Sequence, residues 1–356
     1  MARTNTSYHL AQRPKPDLIP GKTFEKRTNP APTADQLKDG HVLVESLYLS
    51  LDPAMRPMLN DVRSYVPPVQ IGELMRGTAI SRVLASKSSK AKQGDFVNAS
   101  LGWQEIAIIP DSAFEVVQIP EGSKVTDALG VLGLTGLTAY FGLSKIGKPK
   151  KGDTVVISGA AGATGSVAGQ IAKLSGAKVI GIAGSDDKCA WLVKDLGFDA
   201  ALNYKSPTFA KDLAKATPNY IDVYWDNVGG DILELALSRA KKNARFVMCG
   251  SISGYNASPK DAASKGIRNL SNVVSQRIHM EGFIVFDYLS EYPQARKELT
   301  SWLREGKIQR KETIVPGGIN EVEKAFVKLF DGSNTGKLLL EVKNHESDEV
   351  RGSSKL

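Results

Sequence analysis

From Thr154 onward the chain alternates short apolar runs with longer stretches of helical periodicity. Thr154 to Ile157, Ala177 to Ile182, Ala200 to Asn203, Ile221 to Trp225 and Arg245 to Cys249 are each too short for a helix. Runs of this kind predict strands buried on both faces, and their alternation with helix-patterned segments predicts an α/β fold with a doubly wound parallel sheet. Ahead of them the pattern changes to period two, as in His41 to Tyr48 and Glu105 to Ile109, punctuated by Gly and Pro, which predicts a β-rich domain. Ala128 to Phe141 between the two reads as buried helices packed through small residues. After Gly306 the pattern is strand-like again, with Ile308 to Val315 and Gly336 to Val342 expected to return to the first domain. The expected division is a β-rich substrate domain over 1–130, a nucleotide-binding domain over 131–305, a return over 306–345 and an exposed tail over 346–356. Met1 to Ile19 and the residues from Lys343 onward are expected to be loosely ordered, and the active site is expected in the cleft between the domains.

The length of 356 residues suits two domains, and a hydrophobic share of 42% supports ordinary globular cores. No apolar run is long enough to cross a bilayer and Met1 to Lys22 lacks a signal pattern, so a soluble protein without a membrane partner is expected. Two cysteines, Cys189 and Cys249, leave no disulfide framework. The net charge of +8 comes from scattered residues, and the clusters Lys87 to Lys92 and Lys148 to Lys151 lack interleaved aromatics. Nucleic acid is therefore not the expected partner, whereas a polyanionic dinucleotide suits a mildly basic surface.

The segment Gly159-Ala160-Ala161-Gly162-Ala163-Thr164-Gly165 links the first of the apolar runs to the helix-patterned stretch Ser166 to Leu174. Glycines there let the backbone approach a pyrophosphate, whose charge is held by N–H groups at a helix N-terminus. A plain tight turn is the competing reading, and the βαβ context favours the nucleotide in a Rossmann domain. The second strand runs out into Gly184-Ser185 rather than an acidic residue, which leaves room for the 2′-phosphate of NADP, with Lys188 in the next helical turn to neutralise it. Asp186 and Asp187 argue for NAD unless they are helix-start residues.

In these motifs the chain resembles the medium-chain dehydrogenase/reductase superfamily, and within it the leukotriene B4 12-hydroxydehydrogenase, prostaglandin reductase and alkenal double-bond reductase group. Leu49 to Arg56, Gly133 to Tyr140, the glycine turn, Gly184 to Lys188, Asp226 to Gly230 and Cys249 to Asn256 carry the resemblance. It implies a GroES-like first domain, a homodimer, and NADPH as cofactor. By the same resemblance Gly162, Ala163, Thr164 and Gly165 hold the pyrophosphate, and Lys188 and Tyr204 contact the 2′-phosphate. Asn227 lies near the nicotinamide half, and Cys249, Gly250, Ser251, Ile252, Ser253, Gly254 and Tyr255 line the cofactor. Phe283, Ile284 and Val285 flank the nicotinamide, with Asn334 closing over it. Structural readings stand beside these: turn-forming asparagines, a stacked or solvated Tyr204 and a core strand at Phe283 to Val285.

Alcohol dehydrogenases of the superfamily use zinc held by cysteine and histidine. Here the first domain has no cysteine, and His9, His41, His279 and His345 are isolated, so no metal site is expected. Hydride transfer to an activated acceptor remains, and an α,β-unsaturated carbonyl is such an acceptor because negative charge arriving at its β-carbon spreads to the carbonyl oxygen as an enolate. Tyr255 is the candidate catalytic residue, either donating toward the enolate or only positioning the cofactor. The expected substrate wall includes Ala54, where relatives often carry tyrosine, and Arg56, for which a structural ion pair is the favoured alternative. Two other functions stay open: a quinone reductase of the same superfamily, and a binding protein that senses NADPH without turnover. Finally, Ser354-Lys355-Leu356 matches a peroxisomal address read by an import receptor, so a eukaryotic source would imply peroxisomes and any other source the cytoplasm.

Overall fold

A computed structural model describes residues 3–257 and 266–344. His345 and the tripeptide Ser354, Lys355 and Leu356 lie outside the described residues. By its internal contacts the chain divides into two units, one of 1–129, 313–333 and 338–356, the other of 130–312 and 334–337.

The first unit contains β1 (Thr4–Leu10), β2 (Phe24–Pro30), β3 (His41–Ser50), β4 (Ala79–Ser86), β5 (Phe96–Ala99), β6 (Ile106–Pro110) and β7 (Phe114–Val116). β3 is its spine, antiparallel to β4 on one side and to β6 on the other over part of its length, while the late strand Lys337–Glu341 pairs with its far end through Leu339 and Ser50. Trp103 lies fully buried beneath this sheet, edge-on to Phe326 at 5.3 Å and tilted against Phe24 at 4.8 Å. The expectation of a loosely ordered start is corrected here. Residues Thr4 to Leu10 pair antiparallel with Phe24 to Pro30, because Tyr8 and Leu10 bury into the core and the backbone of Tyr8 bonds both Trp103 and Met75. Lys343 is likewise held, its N–H on Leu47 O at 3.2 Å and its ammonium on Glu45 at 3.1 Å.

The second unit is the doubly wound sheet. Its strands are β8 (Thr154–Ile157), β9 (Lys178–Ala183), β10 (Ala200–Asn203), β11 (Ile221–Asp226), β12 (Ala240–Met248) and β13 (His279–Gly282), in the spatial order β10-β9-β8-β11-β12-β13 and parallel throughout. Successive residues of each strand point to opposite faces. Val155, Ile157, Val179, Val223, Trp225 and Val247 face α1 (Leu134–Phe141), α2 (Ala163–Leu174), α3 (Asp186–Lys194) and the helix Tyr292–Arg304. Val156, Ile180, Ile182, Tyr224 and Phe246 face α4 (Phe209–Ala216) and α5 (Gly230–Ser238). Continuous apolar runs were required because both faces are covered. The strand order reverses between β8 and β11, and a crevice outside the carboxyl ends at such a point is where doubly wound sheets bind nucleotides.

Candidate active site

The glycine turn follows β8. Gly159 takes the left-handed φ of 57°, and Gly162 caps α2 without a side chain to satisfy its first amides. The first regular helical bond runs from Ser166 N to Gly162 O at 3.0 Å, so the N–H groups of Ala163, Thr164 and Gly165 have no intrahelical acceptor. A Cβ at Gly165 would stand 2.4 Å from Gly159 O, which shows how closely helix and strand approach. An uncapped helix N-terminus with this close packing fits a pyrophosphate. A strap from near the chain end lies along the turn: Gly336 N donates to Ala161 O at 2.8 Å, and Asn334, two residues earlier, bonds Gly336 O through its amide at 3.2 Å.

Beyond β9, Gly184 lies under the ring of Tyr204, whose nearest carbon would be 3.1 Å from a Cβ at that position. Ser185 caps α3, accepting from Lys188 N at 3.4 Å. Asp186 is turned aside, accepting from the Asn203 amide at 2.9 Å. Tyr204 is 45% exposed, so a phenol and the helical turn bearing Lys188 flank a floor with no side chain. That donor set fits a 2′-phosphate.

Asn227 follows β11 with its amide fixed by the protein: Nδ2 donates to Ser158 O at 2.7 Å, and Oδ1 accepts from Trp225 Nε1 at 3.0 Å. Beyond β12, Cys249 to Tyr255 form a tight loop in which Ser251 N donates to the Tyr255 hydroxyl at 3.2 Å. Burial raises the pKa of Tyr255, with smaller contributions from Cys249 and Asp226. The phenol therefore keeps its proton at neutral pH and remains a donor. Phe283 comes directly after β13 and is not part of a strand; it stands edge-on to Trp225 at 6.1 Å. Trp225 and Phe283 also close on Gly142, where α1 runs on into the π-helical turn Gly142–Gly147: a Cβ there would meet Trp225 at 2.5 Å and Phe283 at 2.7 Å. Val285 O accepts from Tyr292 at 3.2 Å, which anchors the end of Phe283 to Val285.

Apart from Asn334 on the strap and Gly142 after α1, these residues follow carboxyl ends of one sheet. Ala54 and Arg56, the residues expected to line the substrate, belong to the other unit. Ala54 is exposed on the short turn Pro53–Met55. Arg56 is 2% exposed, and its guanidinium donates to Asn60 Oδ1 at 2.9 Å and Pro16 O at 2.6 Å, so it supports its own fold.

Sequence comparison places the chain among known proteins. A family model described as the N-terminal domain of oxidoreductase matches residues 7–117, and one described as zinc-binding dehydrogenase matches 163–301. The putative NADP-dependent oxidoreductase YfmJ of Bacillus subtilis (strain 168) is 43% identical over 96% of this chain and 99% of its own. Prostaglandin reductase 1 of Bos taurus is 41% identical over 89% of this chain and 93% of its own. The chain belongs to the medium-chain dehydrogenase/reductase superfamily, in its prostaglandin reductase group. Among solved structures, CurA from Vibrio vulnificus in complex with NADPH superimposes with a TM-score of 0.88 at 39% identity, covering 95% of this chain and 99% of that one.

The zinc in the second family description finds no donor set among the described residues, where no three His, Cys, Asp or Glu side chains gather. His9 Nδ1 lies 3.0 Å from Gly72 O, His41 Nδ1 2.9 Å from Asp39 O, and His279 Nε2 2.7 Å from Glu281. Cys189, in α3, and Cys249, just after β12, are free thiols. No helix of the described residues is long and apolar enough to cross a membrane.

Proposed function

We propose that this enzyme is a zinc-independent, NADPH-dependent reductase of the C=C bond of α,β-unsaturated carbonyl compounds. The observation that carries the reading is the pairing, at the carboxyl ends of one sheet, of an uncapped α2 N-terminus after β8 with a half-buried, protonated phenol, Tyr255, after β12. The NADP-dependent relative, the prostaglandin reductases and the NADPH complex of CurA support the cofactor and the reaction class.

When bound, the cofactor supplies a hydride for the substrate β-carbon. The amides of Ala163, Thr164 and Gly165 hold the pyrophosphate, Lys188 and Tyr204 hold the 2′-phosphate, and Asn227 and Asn334 border the cofactor. Phe283 to Val285 form an apolar wall that keeps water from the reacting face. Tyr255 already accepts from Ser251 N, which orients its remaining O–H to donate toward the substrate carbonyl oxygen, directly or through a ribose hydroxyl. That donor stabilises negative charge which exists only as the hydride arrives, and the enolate then takes a proton from solvent at its α-carbon.

The test follows NADPH oxidation with enals, enones, quinones and saturated aldehydes, with and without a strong chelator. Enals or enones are expected to lead, with a chelator-insensitive rate. Faster turnover of saturated aldehydes, a dominant quinone activity, or loss of activity with the chelator overturns the assignment.

A further inference from the structure

Asp226, the last residue of β11, is fully buried and takes no part in the chemistry above. Its Oδ1 accepts from four donors: Ser158 Oγ at 2.9 Å, Tyr224 OH at 3.0 Å, Val228 N at 3.0 Å and Gly229 N at 2.9 Å. Its main-chain carbonyl accepts two more, from Cys249 N and Gly250 N, both at 2.9 Å. One residue thereby joins the ends of β8, β11 and β12.

Two groups of the proposed site depend on those joints. Ser158, held by the carboxyl group, accepts from Asn227 N at 2.9 Å through its hydroxyl and from Asn227 Nδ2 at 2.7 Å through its carbonyl. Gly250, held by the Asp226 carbonyl, packs so tightly on Tyr255 that a Cβ there would lie 3.2 Å from the phenol oxygen. The amide of Asn227 and the hydroxyl of Tyr255 are thus registered to the same residue.

The arrangement is costly for the fold alone. Among the described residues Asp226 Oδ2 is buried without a hydrogen-bond partner, and such an oxygen forfeits its hydration. Burial raises the carboxyl's pKa against the hydrogen bonds from Gly229, Val228, Ser158 and Tyr224. The nearby Cys249 thiol is pushed up to about 12 by burial and by Asp226. A carboxyl group that gathers donors on one oxygen while the other is stranded supplies orientation at the expense of stability.

We infer that Asp226 is a positioning residue: by holding Ser158 and the Val228-Gly229 turn through Oδ1, and Gly250 through its carbonyl, it aligns Asn227 and Tyr255 for the hydride step. This rests on the reductase reading for its chemistry, but its geometry can be tested by cofactor binding alone.

Asp226→Asn keeps the Oδ1 acceptor, whereas Asp226→Ala removes it. Folded Asp226→Ala is expected to bind NADPH within about threefold of the parent, because the phosphate contacts are elsewhere. Its kcat for an enone should fall by roughly 10- to 100-fold, the scale of a misplaced reacting group. The fluorescence spectrum of bound NADPH should shift, reporting a changed nicotinamide environment whether or not the substrate class is right. Asp226→Asn should restore both readouts. Should Asp226→Ala not fold, Ser158→Ala removes the hydroxyl that joins Asp226 Oδ1 to Asn227 N, leaving only the main-chain bond to the Asn227 amide, and is expected to shift the same spectrum. Unchanged kcat and spectrum in folded Asp226→Ala, or in Ser158→Ala where that variant is used, overturn the inference. So does an Asp226→Asn variant as impaired as the alanine variant. Failure of the parent to reduce enones while the spectrum still responds would count against the reductase reading and leave the positioning role intact.

Discussion

The backbone N–H of Gly336 donates to the carbonyl of Ala161 at 2.8 Å, fixing the strap from near the chain end to the middle of the glycine turn. Gly336 has a φ of 69°, and a Cβ there would stand 1.9 Å from Lys311 O. Neither the backbone conformation nor the space admits a side chain. Gly336→Ala should therefore displace the strap and weaken NADPH by about 1–2 kcal/mol, or about 5- to 30-fold, given the usual cost of such strain. Titration of cofactor fluorescence measures this. A lowered melting temperature with unchanged affinity would show that the strap serves only the fold.

Lys188 and Tyr204 flank the side-chain-free floor at Gly184. If they read the 2′-phosphate, Lys188→Ala weakens NADPH by about 1.5–3 kcal/mol, the range for hydrogen bonds to charged groups, and leaves NADH nearly unchanged. Isothermal titration with both cofactors decides it. Equal losses would assign Lys188 to the fold or to general binding.

The strands β8, β9 and β11 were legible because burial on both faces demands uninterrupted apolar residues, a signal that needs no knowledge of partners. β13 was not. Its residues His279, Met280, Glu281 and Gly282 sit at the sheet edge, partly or fully exposed, and only pairing with β12 makes them a strand. The hairpin of β1 and β2 was hidden for a related reason: Thr4-Asn5-Thr6-Ser7 carries little apolar signal, and what orders it is burial of Tyr8 and Leu10 against distant residues. At the candidate site the glycine turn could be read because its residues are contiguous. The role of Asp226 could not, since it was read only as the first residue of the Asp226 to Gly230 motif and its partner Ser158 lies 68 positions earlier. Arg56 was ambiguous in sequence because carboxylate recognition and internal bracing need the same guanidinium, which in the fold donates to Asn60 and Pro16.

Tyr255 separates a donor from a spacer. Phenylalanine retains the ring but loses the proton donor and the acceptor for Ser251 N. Tyr255→Phe is expected to lower kcat with enones by roughly 10²-fold, the lower range for a lost proton donor, while NADPH affinity changes far less. Steady-state kinetics beside a binding titration measure the split. Unchanged kcat with weaker cofactor binding would leave Tyr255 a positioning role only.

The last prediction concerns stability against pH. Asp199 joins the end of α2 to the start of β9: Lys173 Nζ donates to its Oδ1 at 3.0 Å and its Oδ2 at 2.8 Å, and Val179 N donates to Oδ2 at 2.7 Å. Burial works to raise its pKa, but the bonds from Lys173 and Val179 and the lysine's charge outweigh it, and the carboxyl titrates below the ordinary aspartate range. In the window between the folded and unfolded values the unfolded chain binds more protons, so stability rises with pH there. The contribution is complete above the unfolded pKa and disappears as pH falls through the depressed folded one. Because the pair is about a third exposed, solvent screens it, and Asp199→Asn should cost only about 1 kcal/mol at neutral pH. Urea melts of the parent and the variant across the acidic range should show that gap closing as pH falls through the window. A gap that stays constant down to the lowest pH at which the protein remains folded would show that the hydrogen-bond geometry of Asp199, and not its charge, carries the stabilisation.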